Sequence, residues 1–127
     1  MNAIVLVFIG TGIGGVLRYV SYEAAMRVFG MHFPSGTFVV NVVGSFVIGC
    51  IAGWMAMKGG ASWGTPVRLF VVAGILGGFT TFSSFSLDTA MLVQRGEVGL
   101  AAFYVAGSVA LSLTAVFGGL ALVRAVA

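Results

Sequence analysis

Four long apolar stretches account for almost the whole sequence, and each is long enough to cross a bilayer. They run near residues 3–28, 35–57, 67–93 and 98–123. A membrane-spanning helix needs about 20 mostly apolar residues. The connections between the stretches carry the glycines, prolines and charges that end helices. Since lipid offers no partner for backbone polar groups, the sequence predicts an all-α membrane protein with one transmembrane domain, 1–127, of four helices.

The composition excludes a water-soluble globule. Hydrophobic residues make up 60% of the chain and charged residues only 7%, whereas a soluble domain carries about 25% charged residues. The six basic residues do not cluster, so no basic stripe exists to follow phosphates, and nucleic acid is not an expected partner. The single cysteine excludes a disulfide within the chain. We therefore expect membrane lipid around the protein.

Basic residues are divided equally between the two faces of the predicted bundle. One face receives Lys58, Arg68 and Arg124, and the other receives Arg18, Arg27 and Arg95. An excess of basic residues on one side normally sets the orientation of a membrane protein. Its absence predicts insertion in both orientations, and two opposed copies can then pair as an antiparallel dual-topology homodimer.

Glycine spacing favours close packing of helices. The Gly-x-x-x-Gly pattern, which lets transmembrane helices approach closely, occurs at Gly10/Gly14, Gly49/Gly53 and Gly74/Gly78. Residues 10–15 also satisfy the dinucleotide-binding pattern G-x-G-x-x-G. That motif needs an acidic residue about 20 positions later, and this chain has none there. We therefore interpret these glycines as packing residues.

Hydroxyl side chains are concentrated in the middle of the third stretch. Five occur within seven positions, at Thr80, Thr81, Ser83, Ser84 and Ser86. This weak helical segment predicts a third helix broken near the membrane centre, where freed carbonyls and half-helix ends can hold an ion. The alternative is that each hydroxyl bonds back to its own helix. The density of hydroxyls favours a functional role.

Three further features point to a path through the membrane. Phe82 and Phe85 share one helical face, and their positively polarised ring edges can contact an anion, although phenylalanine is also common facing lipid. Tyr104, Ser108 and Ser112 form a stripe of hydroxyls with a spacing of four. Asn41 is equally compatible with a path and with a contact that holds helices together.

Acidic residues are absent from the centres of all four stretches. A small dual-topology, proton-coupled exporter of organic cations would need such an acid, so a path lined with neutral donors suits an anion better. The sequence shows no nucleophile and base pair, hence no enzyme is expected. A membrane subunit that serves assembly without transporting anything is the remaining alternative.

Taken together, these residues resemble the Fluc (CrcB) family of fluoride channels. The resemblance covers the whole chain and is carried by segments 14–19, 36–46 and 74–86 and by the Tyr104, Ser108 and Ser112 stripe. Segment 74–86 is the most specific of these. Many members of the family have a glutamate shortly after the second phenylalanine, where this chain has Asp88.

The resemblance implies a passive, fluoride-selective channel in the bacterial inner membrane that exports cytoplasmic fluoride. It implies an antiparallel homodimer with two pores. The implied ion pathway comprises Asn41, Thr81, Phe82, Ser84, Phe85, Tyr104, Ser108 and Ser112. The resemblance also implies anion attraction by Arg18 near a vestibule. A structural sodium ion would be held at the dimer centre by the carbonyls of Gly77 and Thr80 from both subunits.

Overall fold

The structure, a computed structural model, describes residues 2–57 and 64–126, and all regular structure in these ranges is helical. The first two helices are α1 (Ala3–Phe29) and α2 (Ser35–Met57). The third span is composite and runs through α3 (Gly64–Arg68), a π-helical segment (Leu69–Leu76), α4 (Gly77–Phe79) and α5 (Phe82–Gln94). The last helix is α6 (Val98–Val126).

Four helical spans are long and apolar enough to cross a membrane, which confirms the predicted all-α, four-span architecture. They are Ala3–Phe29, Ser35–Met57, Gly64–Gln94 and Val98–Val126, with mean hydropathies between 1.6 and 2.0. The third span begins three residues before the predicted range of 67–93, with Pro66 in its first turn, where the missing N–H of proline costs no helical hydrogen bond. Of the predicted connection at 58–66, residues 58–63 lie outside the part of the chain that the structure describes.

The ends of α1 follow from two residues that suit helix termini. The side-chain oxygen of Asn2 accepts a 2.8 Å hydrogen bond from the N–H of Ile4 and caps the helix. At the other end, Gly30 has a φ of 80°, and its N–H bonds to Met26. This left-handed conformation ends the helix at little steric cost because glycine has no side chain.

Glycines set the distance between α2 and α6. A Cβ atom on Gly49 would overlap the carbonyl of Val116, and one on Gly119 would overlap the carbonyl of Phe46. The same Cβ on Gly119 would lie 2.7 Å from the backbone nitrogen of Cys50. The two backbones therefore touch, as small residues permit in membrane helices.

Glycines also pack α1 against the third span. A Cβ on Gly74 would lie 2.9 Å from Cα of Gly10, and a Cβ on Gly14 would overlap the carbonyl of Ile75. On the opposite side of this contact, a Cβ on Gly78 would lie 2.5 Å from the carbonyl of Thr11. All three Gly-x-x-x-Gly pairs thus serve contacts within one chain.

The adjacent residues Gly118 and Gly119 provide a test of this packing. We expect Gly119→Ala to lower the free energy of unfolding by about 1–3 kcal/mol, the usual cost of an overpacked contact. Gly118→Ala is the matched control, because a Cβ there meets nothing within 4 Å. Reversible unfolding in detergent micelles measures both variants. Equal destabilisation by the two substitutions would contradict the assignment of Gly119 to the α2–α6 contact.

Candidate functional site

The helical structure of the third span is interrupted at two threonines. α4 ends at Phe79, the backbones of Thr80 and Thr81 are extended, and α5 begins at Phe82. The hydroxyl of Thr81 accepts a 3.2 Å hydrogen bond from the N–H of Ser84 and so caps α5, a role for which threonine is well suited. The cluster of hydroxyl residues therefore contains the start of a second helical segment.

Asn41 on α2 bonds to both backbone groups of Thr81 at this interruption. Its amide nitrogen donates to the carbonyl of Thr81 at 3.0 Å, and its side-chain oxygen accepts from the N–H of Thr81 at 2.9 Å. In a continuous α-helix that N–H would bond to the carbonyl of Gly77. The side chain of Asn41 thus replaces the helical hydrogen bond of the Thr81 N–H, adds a second bond to the Thr81 carbonyl, and joins α2 to the third span.

Thr80 is fixed by contacts on two sides. Its hydroxyl and its N–H both donate to the carbonyl of Leu76, each at 3.0 Å. Its methyl group occupies the space left by the missing side chain of Gly44 on α2, where a Cβ would overlap that methyl. Close approach of α2 is therefore part of the geometry of the interruption.

A groove of about 490 Å³ lies beside the interruption, between α2, the third span and α6. We call it the central groove. Its lining is mainly apolar, with a few amide and hydroxyl groups. It brings together eight of the residues singled out in the sequence: Asn41, Gly77, Thr80, Thr81, Phe82, Phe85, Ser108 and Ser112. Gly44 and Ser45 also line it, and sequence analysis did not assign them to the site.

Ser108 presents an unused hydroxyl in the wall of the central groove. The residue is only 5% exposed, and its Oγ has no hydrogen-bond partner among the described residues. Buried polar atoms are nearly always paired, so this hydroxyl is an exception, and it would reach a ligand in the groove after a rotation of the side chain. Ser112, one turn further along α6, lines the same groove.

Aromatic rings lead from the groove into the interior. The ring centroids of Phe82 and Phe85 are 5.6 Å apart, and those of Phe85 and Tyr104 are 5.2 Å apart. Phe82 is 77% exposed, whereas Tyr104 is fully buried. The three rings form a row that begins at the open side of the groove and ends in the core.

Tyr104 does not line the central groove but bonds to an acid beyond it. Its hydroxyl donates to Oδ2 of Asp88 at 3.0 Å. Asp88 lies three residues after Phe85 on α5, so the two share a helical face. Sequence analysis left the role of Asp88 open, because no local pattern shows which residue of α6 faces α5.

Besides Tyr104, two other sequence-predicted site residues do not line the central groove. Ser84 contributes its backbone N–H to the cap of α5 and does not line the groove. Arg18 is half-buried on α1, and no hydrogen bond or ion pair joins its side chain to the described part of the chain.

The possible metal ligands at the interruption are backbone carbonyl and hydroxyl oxygen atoms rather than His, Cys, Asp or Glu side chains. Within residues 2–57 and 64–126, no group of three or more His, Cys, Asp or Glu residues could hold a metal ion. The carbonyl of Gly77 has lost its helical donor, because the N–H of Thr81 bonds to Asn41. Any cation held here would therefore need to be one that binds neutral oxygen atoms.

Comparison with known proteins identifies close relatives along the full chain. A protein of Nitrobacter hamburgensis named fluoride-specific ion channel FluC 2 is 56% identical over 119 residues, which cover 94% of each chain. Fluoride-specific ion channel FluC of Rhodopseudomonas palustris is 55% identical over 95% of this chain and 96% of its own. The protein of that name from Novosphingobium aromaticivorans is 53% identical over 100% of both chains.

The family comparison agrees with these relatives and with the resemblance carried by segments 36–46 and 74–86. Residues 5–120 match the family described as CrcB-like protein, Camphor Resistance (CrcB). That match covers most of the chain, including every helix that lines the central groove. The chain therefore belongs to the CrcB family.

Proposed function

We propose that this chain is a fluoride-selective, passive anion channel that exports cytoplasmic fluoride and so protects against fluoride toxicity. Relatives of the same length, 53–56% identical, are named fluoride-specific ion channels. Four spans in a family of bacterial channels make it a multi-pass protein of the inner membrane and not an enzyme. The observation that carries the proposal is the central groove, where neutral donors line an otherwise apolar wall.

The donors in the central groove suit a small anion. Fluoride is tightly hydrated, so a pathway must replace its water with close hydrogen-bond donors. The hydroxyl of Ser112 and the second amide hydrogen of Asn41 supply such donors, and a rotation of the Ser108 side chain would add its unpaired hydroxyl. Among the described residues, no carboxylate lines the groove, so no acid from this part of the chain repels an anion there. This absence also leaves the groove without the acid that a proton-coupled cation exporter would need.

The row of aromatic rings gives the anion a route inward. Ring edges carry partial positive charge, and they bind an anion weakly enough to let it leave. Phe82 and Phe85 flank the groove, and Tyr104 continues the row. In this proposal Thr81 and Ser84 shape the pathway through the α5 cap, and Arg18 attracts anions toward the vestibule.

A second copy of the chain would close the open side of the central groove. Phe82 is 77% exposed beside polar groups that lipid cannot satisfy. The glycine pairs are used within one chain, so the exposed face of the interruption is left for the partner. The equal division of basic residues favours an antiparallel, dual-topology homodimer.

The interruption in the third span fits a structural sodium ion. We place the break near the membrane centre, where the carbonyls of Gly77 and Thr80 from both subunits would hold the ion at the dimer axis. Sodium is a hard cation that prefers oxygen ligands, and the carbonyl of Gly77 lacks its helical donor. The bound ion would supply a fixed positive charge between the two subunits.

Fluoride efflux from liposomes tests the proposed function directly. Purified wild-type protein should release fluoride much faster than chloride. Phe82→Ile and Phe85→Ile should each slow fluoride release by about tenfold or more, equivalent to ~1.4 kcal/mol in barrier height, because an aliphatic side chain has no polarised ring edge. Phe117→Ile is the control, since Phe117 is an exposed α6 residue outside the groove.

Two results of the efflux experiment would contradict the proposal. If wild-type liposomes retain fluoride, the chain is not a fluoride channel, and the assembly subunit and the exporter become the favoured alternatives. Normal efflux in both phenylalanine variants would remove these rings from the pathway even if the wild-type protein conducts fluoride.

The amide of Asn41 provides a test of how the interruption is held. Asn41→Ala should lower the free energy of unfolding by about 2 kcal/mol, because it leaves the N–H of Thr81 unpaired and removes a second hydrogen bond to the carbonyl of Thr81. Ser45→Ala changes a neighbouring groove residue on the same helix and should leave stability near the wild-type value. Equilibrium unfolding in detergent measures both, and equal effects would refute the specific role of Asn41.

Exchange of salts tests the sodium site. The dimer should survive to a higher temperature in sodium chloride than in N-methylglucamine chloride of equal ionic strength. A ligand present at 100 times its dissociation constant stabilises by about 2.7 kcal/mol. Thermal dissociation followed by size-exclusion chromatography measures the shift. Identical midpoints in the two salts would contradict a sodium ion at the dimer centre.

A further inference from the structure

Ser45 borders the central groove, and the proposed function leaves it without a role. It lies on α2, one turn after Asn41, and its side chain is half-buried. No hydrogen bond joins its Oγ to any residue in the described part of the chain. A polar group in a membrane-spanning helix is costly unless it has a partner or faces a hydrated path. The hydroxyl of Ser45 therefore needs a partner from outside these residues.

Several other hydroxyls in the helices are satisfied by their own backbone. The hydroxyls of Thr80, Thr89 and Thr114 each donate to the carbonyl four residues earlier, at distances between 2.7 and 3.0 Å. Such a bond pairs a hydroxyl inside a helix without giving it any further role. Ser45 makes no such bond to the carbonyl of Asn41. Its proton is therefore free for a ligand in the groove.

The packing of α2 against α6 shows which level of α6 faces each level of α2. A Cβ on Gly49 would overlap the carbonyl of Val116, so these two residues are at the same level. One turn later on both helices, a Cβ on Gly53 would lie 3.5 Å from Cα of Leu120. The two helices therefore run in the same direction, and residues four apart on one match residues four apart on the other.

The same match, followed toward the start of both helices, pairs the polar residues of the groove. One turn before the Gly49 contact, α2 has Ser45 and α6 has Ser112. One further turn back, α2 has Asn41 and α6 has Ser108. All four of these polar residues line the central groove. The two helices thus present polar groups at two successive levels, and Ser45 lies at the level of Ser112.

We infer that Ser45 is a further residue of the ion pathway, which donates from α2 to an anion that Ser112 contacts from α6. Neither hydroxyl bonds to the other or to another described residue, so both protons are free at the same level of the groove. Two neutral donors replace part of the water around an anion and add no fixed charge that would trap it. This inference rests on the proposed function, in which the anion is fluoride.

Fluoride efflux from liposomes tests the role of Ser45. Ser45→Ala should slow fluoride release about three- to tenfold, the effect of losing one hydrogen bond to the ion. Ser45→Thr keeps the hydroxyl and should release fluoride faster than Ser45→Ala. Ser21→Ala is the matched control and should conduct like the wild type, because Ser21 is a half-buried serine of α1 that does not line the groove. An equal loss of rate in Ser21→Ala would contradict a specific role for Ser45.

The stability of the dimer separates a role in the pathway from a role in packing. Ser45→Ala should elute as a dimer and dissociate at the wild-type temperature, because a hydroxyl that binds only the ion holds no helix in place. A clear fall in the dissociation temperature of Ser45→Ala would make its hydroxyl a contact within the dimer. That result would overturn the inference even if efflux were slow.

A double-mutant cycle tests whether Ser45 and Ser112 act on the same ion. Residues that share a partner are coupled, so the slowing in the Ser45→Ala, Ser112→Ala double variant should differ from the product of the two single effects by about twofold or more. A double variant slowed by that product would show that the two serines act independently, and it would refute a shared anion.

The wild-type rate distinguishes failure of this inference from failure of the proposed function. Wild-type liposomes that retain fluoride would refute the proposed function and, with it, the role of Ser45. Fluoride release at the same rate by the wild-type protein and by Ser45→Ala would refute the role of Ser45 alone.

Discussion

The reciprocal pair between Asn41 and Thr81 is the interaction on which the functional part of the molecule depends. A helix that is interrupted inside a membrane exposes an N–H and a carbonyl, and each is costly where no water is present. A carboxamide is the one uncharged side chain that offers an acceptor and a donor together. Asn41 uses both on the same residue of the third span. The same residue, Thr81, caps α5 and lines the central groove, so the pair with Asn41 holds the interruption in place beside the groove.

Glycine allows this pair to form. Asn41 reaches Thr81 because Gly44, one turn further along α2, lets the methyl of Thr80 pack against the helix backbone. The same helix approaches α6 through Gly49 and Gly119. α2 is therefore packed against the third span on one side and α6 on the other, and it lines the central groove between them. These three glycines supply no side-chain chemistry, yet they fix the spacing at which polar side chains meet.

Most of the architecture could be predicted from the sequence. The contacts that could not be predicted all depend on how the helices are rotated relative to one another. Hydropathy and helix-ending residues define four spans because lipid selects for apolar length. The hydroxyl cluster and Asn41 stand out because polar groups are rare in such spans. The bond between Tyr104 and Asp88 could not be predicted, since it depends on the rotation of α6 relative to α5. For the same reason Ser108 and Ser112 enter the central groove whereas Tyr104, on the same stripe, faces the core.

The placement of acids separates the central groove from the region beyond the row of rings. Among the described residues, no carboxylate lines the groove, whereas Asp88 lies beyond Phe85 and accepts the hydrogen bond of Tyr104. In the proposed channel, an anion in the groove would therefore meet only neutral donors, and no strong charge would trap it. Weak binding of this kind suits a passive pathway, because the ion must leave the groove as readily as it enters.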